Sequence, residues 1–156
     1  MRIEPTVSGG LKLVPANDLD WYVLLKVGID AEYDLASELA GLMDEDAMWD
    51  EIVMPELADK FSKQRSVVRN QIMEAKQAAL EVGEEAEIVI DPEQAESWYG
   101  VFNQARLGLE QKYKFGQGDD REPDDIENIK ERDAYYRTRF YSYVQESLLD
   151  FVMSRS

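Results

Sequence analysis

The chain has 156 residues with no cysteine and no histidine, which excludes disulfides, thiol nucleophiles, Ser-His-Asp triads and the usual zinc and histidine-iron sites. Its 33 acidic and 17 basic residues give a net charge of −16, and a field of that sign opposes phosphate backbones and anionic membranes as partners. Without a leader-like segment or an apolar run near ~18 residues, the chain reads as one cytoplasmic domain over residues 1–156, with no cofactor and no membrane or nucleic-acid partner. The charge is uneven: residues 61–80 carry 4 basic side chains against 1 acidic, so one basic helix is expected in an acidic chain.

Residues 2–7 and 11–14 are short β-prone runs separated by Ser8, Gly9 and Gly10, a spacing that predicts an opening β-hairpin. Pro5 assigns the first run to a sheet edge. After Pro15, Asn17 or Asp18 can cap a helix carrying Leu19, Tyr22, Val23, Lys26 and Val27, with a break expected at Gly28 to Asp30. A second helix is predicted from Asp30, with Tyr33, Leu35, Leu39, Leu42 and Met43 apolar, ending in Asp44, Glu45 and Asp46. Residues 44–54 predict a short helical turn, and Pro55 a short helix to Phe61. A longer one follows over 67–82, capped by Ser66, with Val68, Ile72, Ala75, Ala79 and Val82 inward, Arg65, Arg69 and Lys76 outward, and Gly83 at its end.

Residues 85–90 alternate with β-branched side chains, so a third strand is expected, paired with the hairpin. The organising element is a helix over residues 91–114. Asp91, Pro92 and Gln94 read as cap, first helical position and capping box, and Ala95, Trp98, Phe102, Ala105 and Leu109 recur on one face. Arg106 lies beside that stripe and reads as a structural ion pair rather than a ligand contact. Residues 116–125 read as a mobile loop. The last helix is predicted over 126–153, with Ile129, Tyr136, Phe140, Tyr143, Ser147 and Phe151 on its core face, Val144, Leu148 and Val152 flanking, Asp133 interrupting it, and Arg137 and Arg139 answering nearby acids. The fold class is mainly α with a small antiparallel sheet: a helical bundle around residues 91–114 plus an N-terminal β-hairpin.

The run Ile88-Val89-Ile90-Asp91-Pro92-Glu93-Gln94-Ala95-Glu96-Ser97-Trp98, with Asn103 and Arg106-Leu107-Gly108-Leu109, and the terminal Tyr143-Val144-Gln145-Glu146-Ser147-Leu148 resemble a bacterial domain family of unknown function. That family is widespread in actinomycetes, and its gene often lies beside that of the adaptor feeding the Clp protease. The resemblance implies the strand-to-helix architecture and a link to protein turnover, and it supplies no catalytic residues.

Carboxylates are the main candidates for chemistry. The pairs Glu81 with Glu84, Glu84 with Glu87, and Glu93 with Glu96 have the spacing with which helix-bundle nucleotide hydrolases hold magnesium, but 33 acids produce such pairs by chance. The interleaved Tyr135-Tyr136-Arg137-Thr138-Arg139-Phe140-Tyr141 resembles a single-strand nucleic-acid surface, against which stands the assignment of its aromatics to the core. The acidic exterior suggests a decoy for a DNA-binding protein. The favoured reading is a non-enzymatic, adaptor-like interaction protein with a protein partner. Ligand candidates are Arg106, Arg137 and Arg139; partner candidates, including a homodimer, are Met48, Trp49 and Met54; no metal site is predicted.

Overall fold

The computed structural model describes residues 1–32, 54–83, 85–115 and 121–155. The helix expected over 30–46, the turn over 44–53 and residues 116–120 of the expected loop lie outside the described residues, apart from positions 30–32. Four α-helices and a three-stranded sheet make up the described part.

Strands β1 (Arg2–Pro5), β2 (Leu11–Val14) and β3 (Ile88–Ile90) form an antiparallel sheet in the order β1-β2-β3. Leu13 lies opposite both Ile3 and Ile88. Alternation buries Leu11, Leu13, Ile88 and Ile90, while Lys12 and Val89 take the other face, where Lys12 pairs with Glu4 and Glu87. Pro5 sits on the edge strand, where its missing N–H breaks no central ladder. Gly9 supplies a positive φ of 89° to the turn. Gly10 serves another purpose: a Cβ there would lie 2.3 Å from the carbonyl oxygen of Ile90, so only glycine lets β3 approach.

Helix α1 spans Asp18–Asp30, and Asn17 is its cap, accepting from the Asp20 N–H at 2.9 Å. It runs through Gly28 and ends at Asp30, the second of the two positions at which a break was expected. One glycine costs a helix about 1 kcal/mol, and burial of Leu24 and Val27 on the same element offsets that. Helix α2 is a single helix, Met54–Val82, where two were expected. Ser66 is internal to it, because no proline or glycine separates Pro55 from Gly83. Gly83 ends it at φ 73°, and Val82, expected inward, is exposed.

Helix α3 spans Ala95–Tyr113 and follows a 3-10 turn at Pro92–Gln94, where the Gln94 side chain accepts from the Asp91 N–H at 3.2 Å. It contacts all three other described helices. Ala95, Trp98, Phe102, Ala105 and Leu109 are all buried, as their spacing predicts, and the Trp98 indole N–H donates to Gln71 on α2 at 2.7 Å. Pro123–Asp125, at the end of the expected loop, forms a 3-10 turn with Pro123 buried.

Helix α4, Ile129–Phe151, is capped by Asn128 and packs most extensively on α3. Its buried face is turned from the expected one, although Ser147 and the flanking Val144, Leu148 and Val152 are buried as expected and Phe140 is half-buried against the core. Ala134, Tyr135, Arg137, Thr138, Tyr141, Val144, Gln145, Ser147 and Leu148 are inward, whereas Ile129, Tyr136, Tyr143 and Phe151 are exposed. The buried side carries four polar residues, Arg137, Thr138, Gln145 and Ser147, so a reading by apolar spacing selects the neighbouring face instead. Tyr141 meets Phe102 edge to face at 5.5 Å and fills the place that the outer aromatics were expected to take.

Candidate functional site

Two polar networks fasten α4 to its neighbours. In the first, Asp30 ends α1, and its carboxylate faces Arg137 and Tyr141, one turn apart on α4. Arg137 donates from Nε at 2.8 Å and from Nη2 at 3.3 Å, and the Tyr141 hydroxyl donates at 2.6 Å. Arg137 also pairs with Asp133 one turn before it, and Asp133 accepts from the Tyr22 hydroxyl at 2.8 Å. The side chains of Arg137 and Asp30 are 9% and 8% exposed. Burial opposes the guanidinium charge, but the hydrogen bond and charge of Asp30, with Tyr141 and Asp133 adding, raise the Arg137 pKa above its ordinary value. A carboxylate at the C-terminus of α1 opposes the helix dipole, and the bidentate arginine answers it.

In the second network, Arg106 donates to Gln145 at 3.0 Å, Glu110 at 2.8 Å and Asn103 at 2.9 Å, and Gln145 in turn donates to Asn103 at 3.2 Å. All three guanidinium nitrogens have acceptors. Arg139 is exposed, its guanidinium 5.8 Å from the centroid of the Tyr135 ring. The three arginines therefore share no partner, and Arg137 answers nearby acids as expected, but from a buried position. Met48 and Trp49 lie outside the described residues, and Met54 is the first residue of α2. Glu84 is likewise outside, so neither pair containing it is described; Glu93 and Glu96 are exposed, with Glu96 paired to Lys60 at 3.4 Å. Among the described residues no group of three acids could hold a metal ion.

Two surfaces remain as places where another molecule could sit. One is the outer face of α4, where Ile129, Tyr136, Tyr143 and Phe151 are 78%, 53%, 54% and 37% exposed. The other is an open cleft of about 560 Å³ where α1, α3 and α4 meet, with Lys26, Lys112 and Lys130 on its walls and Arg137 among its lining residues. The sequence reading passed over this cleft. The run Asp133, Arg137, Tyr141 at steps of four was the local signal for a polar seam on α4, but Asp30 and Tyr22 reach it only through the tertiary fold.

A family model described as "Domain of unknown function (DUF2017)" matches residues 35–152. The chain belongs to this family. The DUF2017 match covers α2, β3, α3 and α4 and begins after the hairpin and α1, so Asp30 lies outside it while its partners Arg137 and Tyr141 lie within. No curated protein and no solved structure matches the chain. No described helix is long and apolar enough to cross a membrane.

Proposed function

We propose that the chain is a non-enzymatic, adaptor-like interaction protein of the cytosol that docks a protein partner on the outer face of α4. The observation that carries this reading is the orientation of that helix. It buries Tyr135 and Tyr141 yet leaves a second set of large apolar side chains pointing away from the core, with Ile129, Tyr136 and Tyr143 in one row. At 1.5 Å per residue the row spans roughly 20 Å, comparable to one side of a modest protein interface. Exposed tyrosines in a row are the composition of interface centres, where a large rigid side chain loses little entropy on binding. The polar residues beneath them are engaged with one another, which leaves the buried side of the helix a structural role.

The partner has a basic rim around an apolar groove, because a chain at −16 attracts positive surfaces and repels its own copies. The gene neighbourhood of the family it resembles, beside the Clp adaptor, supports a partner in protein turnover. Affinity purification from the source cell tests this, comparing the unaltered chain with a Tyr136→Ser, Tyr143→Ser variant. The expected result is a protein of basic surface retained by the first and lost by the second, with light scattering reporting a monomer at all concentrations. Identical retention by both chains overturns the α4 face, and magnesium-dependent nucleotide turnover by the purified chain overturns the non-enzymatic reading.

A further inference from the structure

The lysines of this chain are not distributed as its acidity would dictate. Lys12, Lys60 and Lys63 each hold a carboxylate, at distances from 2.8 to 3.6 Å. Lys26, Lys112 and Lys130 line the cleft between α1, α3 and α4 and form no ion pair among the described residues. Lys76 and Lys114 form no ion pair among the described residues either, so what sets Lys26, Lys112 and Lys130 apart is that they converge on one hollow. Lys26 lies 5.8 Å from the centroid of the Tyr22 ring and Lys112 lies 5.4 Å from that of Tyr113. An aromatic face holds a cation without cancelling its charge.

The lining carboxylates do not neutralise the lysines either. Asp30 and Asp133 are both bound to Arg137, so Arg137 and one of these acids cancel, and the lining as a whole keeps an excess of two positive charges. Screening decides whether the rest of the molecule matters. At physiological ionic strength the Debye length is about 8 Å, so distant acids are largely screened while the lysines around the cleft act on a ligand directly.

We propose that this cleft binds a small soluble molecule carrying two or more phosphate groups, held by Lys26, Lys112 and Lys130. Three mobile ammonium groups supply up to nine N–H donors, which suits clustered phosphate oxygens better than a lone carboxylate. A cleft of about 560 Å³ also has the size of a metabolite site, with room beyond a single phosphate ion. Tyr22 and Tyr113 offer apolar edges for an organic part. The same acidic exterior that leaves a compact polyphosphate to the screened cleft repels long nucleic acid, which has to pass over the rest of the surface. This site is independent of the α4 aromatic face.

Calorimetric titration of the full chain with inorganic pyrophosphate and with adenosine triphosphate, in low and physiological salt, tests the proposal. Binding by at least one probe is expected in both salts, because added salt screens the distant acids as well as the cleft lysines. Lys112→Gln with Lys130→Gln should weaken it by at least about tenfold, as should Lys26→Met alone. Lys60→Gln with Lys63→Gln, which removes lysines outside the cleft, should leave it unchanged. Circular dichroism confirms that each variant is folded. No heat from either probe at low salt, or equal weakening by the Lys60 and Lys63 variant, overturns the site.

Discussion

Asp30 accepts three hydrogen bonds from two residues of α4, and the chemistry of that cluster determines how stability should respond to pH. Burial, followed by the charge and hydrogen bond of Asp30, pushes the Tyr141 phenol well above its ordinary 10.0. Tyr22 is raised in the same direction, by burial and then by Asp133. A raised phenol stays protonated in the native state where the unfolded chain has lost its proton. Its contribution is therefore complete below pH 10 and declines as pH climbs beyond it. Tyr141→Phe should make the alkaline fall in stability shallower by up to about 1.36 kcal/mol per pH unit, while costing about 1–3 kcal/mol at neutral pH through the donor lost to Asp30. Urea unfolding at neutral pH and above pH 10 measures both, and an unaltered alkaline slope would detach Tyr141 from this cluster. Local spacing makes Asp133, Arg137 and Tyr141 readable as one seam, but their acceptor lies 107 residues from Arg137 and carries no mark in the sequence. Gln104 marks the same limit: it is buried with neither amide atom bonded among the described residues, and no periodic pattern would place it inside.

At the scale of elements, α3 is legible from its first residue to its last turn because cap, proline and apolar stripe agree. Helix α4 is not, since hydrogen-bonded Arg137, Thr138 and Gln145 occupy its inner side and the aromatics that draw attention lie outside. The hairpin is legible as a hairpin, but its two glycines do different work. Gly9 provides the left-handed φ of the turn, whereas Gly10 provides space for the neighbouring strand. Gly10→Ala should therefore push β3 away from β2 and cost about 1–3 kcal/mol, the usual penalty for forcing atoms into a packed site. Chemical denaturation gives the loss, and hydrogen exchange should locate it at Ile88 to Ile90. A variant as stable as the parent would mean that the strands absorb the methyl group.

For the molecule as a whole, the family match and the packing draw different boundaries. The match starts at residue 35, yet Leu11, Leu13, Leu24 and Val27 belong to the same buried cluster as Trp98, Phe102 and Leu148. A chain beginning at residue 35 would leave Ile88 and Ile90 without their neighbouring strand and Arg137 without Asp30. Arg137 would keep Asp133, but the lost Asp30 pair and the lost apolar cover of Leu11, Leu13, Leu24 and Val27 together amount to a large part of an ordinary domain's margin of about 5–15 kcal/mol. The truncated chain should lose its cooperative thermal transition by calorimetry, and a sharp transition near that of the full chain would show the first 34 residues to be dispensable. Composition and periodicity were enough for fold class, because net burial depends on patterns that repeat along the chain. The cleft was beyond their reach, because three lysines separated widely in sequence meet only when three helices do.

The tie between Asp30 and Arg137 also sets a timetable for synthesis. At roughly 5–20 residues per second, the ribosome emits α1 some 5–20 seconds before the arginine that neutralises its last carboxylate. Throughout that interval Leu24 and Val27 lack their final cover, so the nascent amino-terminal end is the part of this protein most in need of a chaperone.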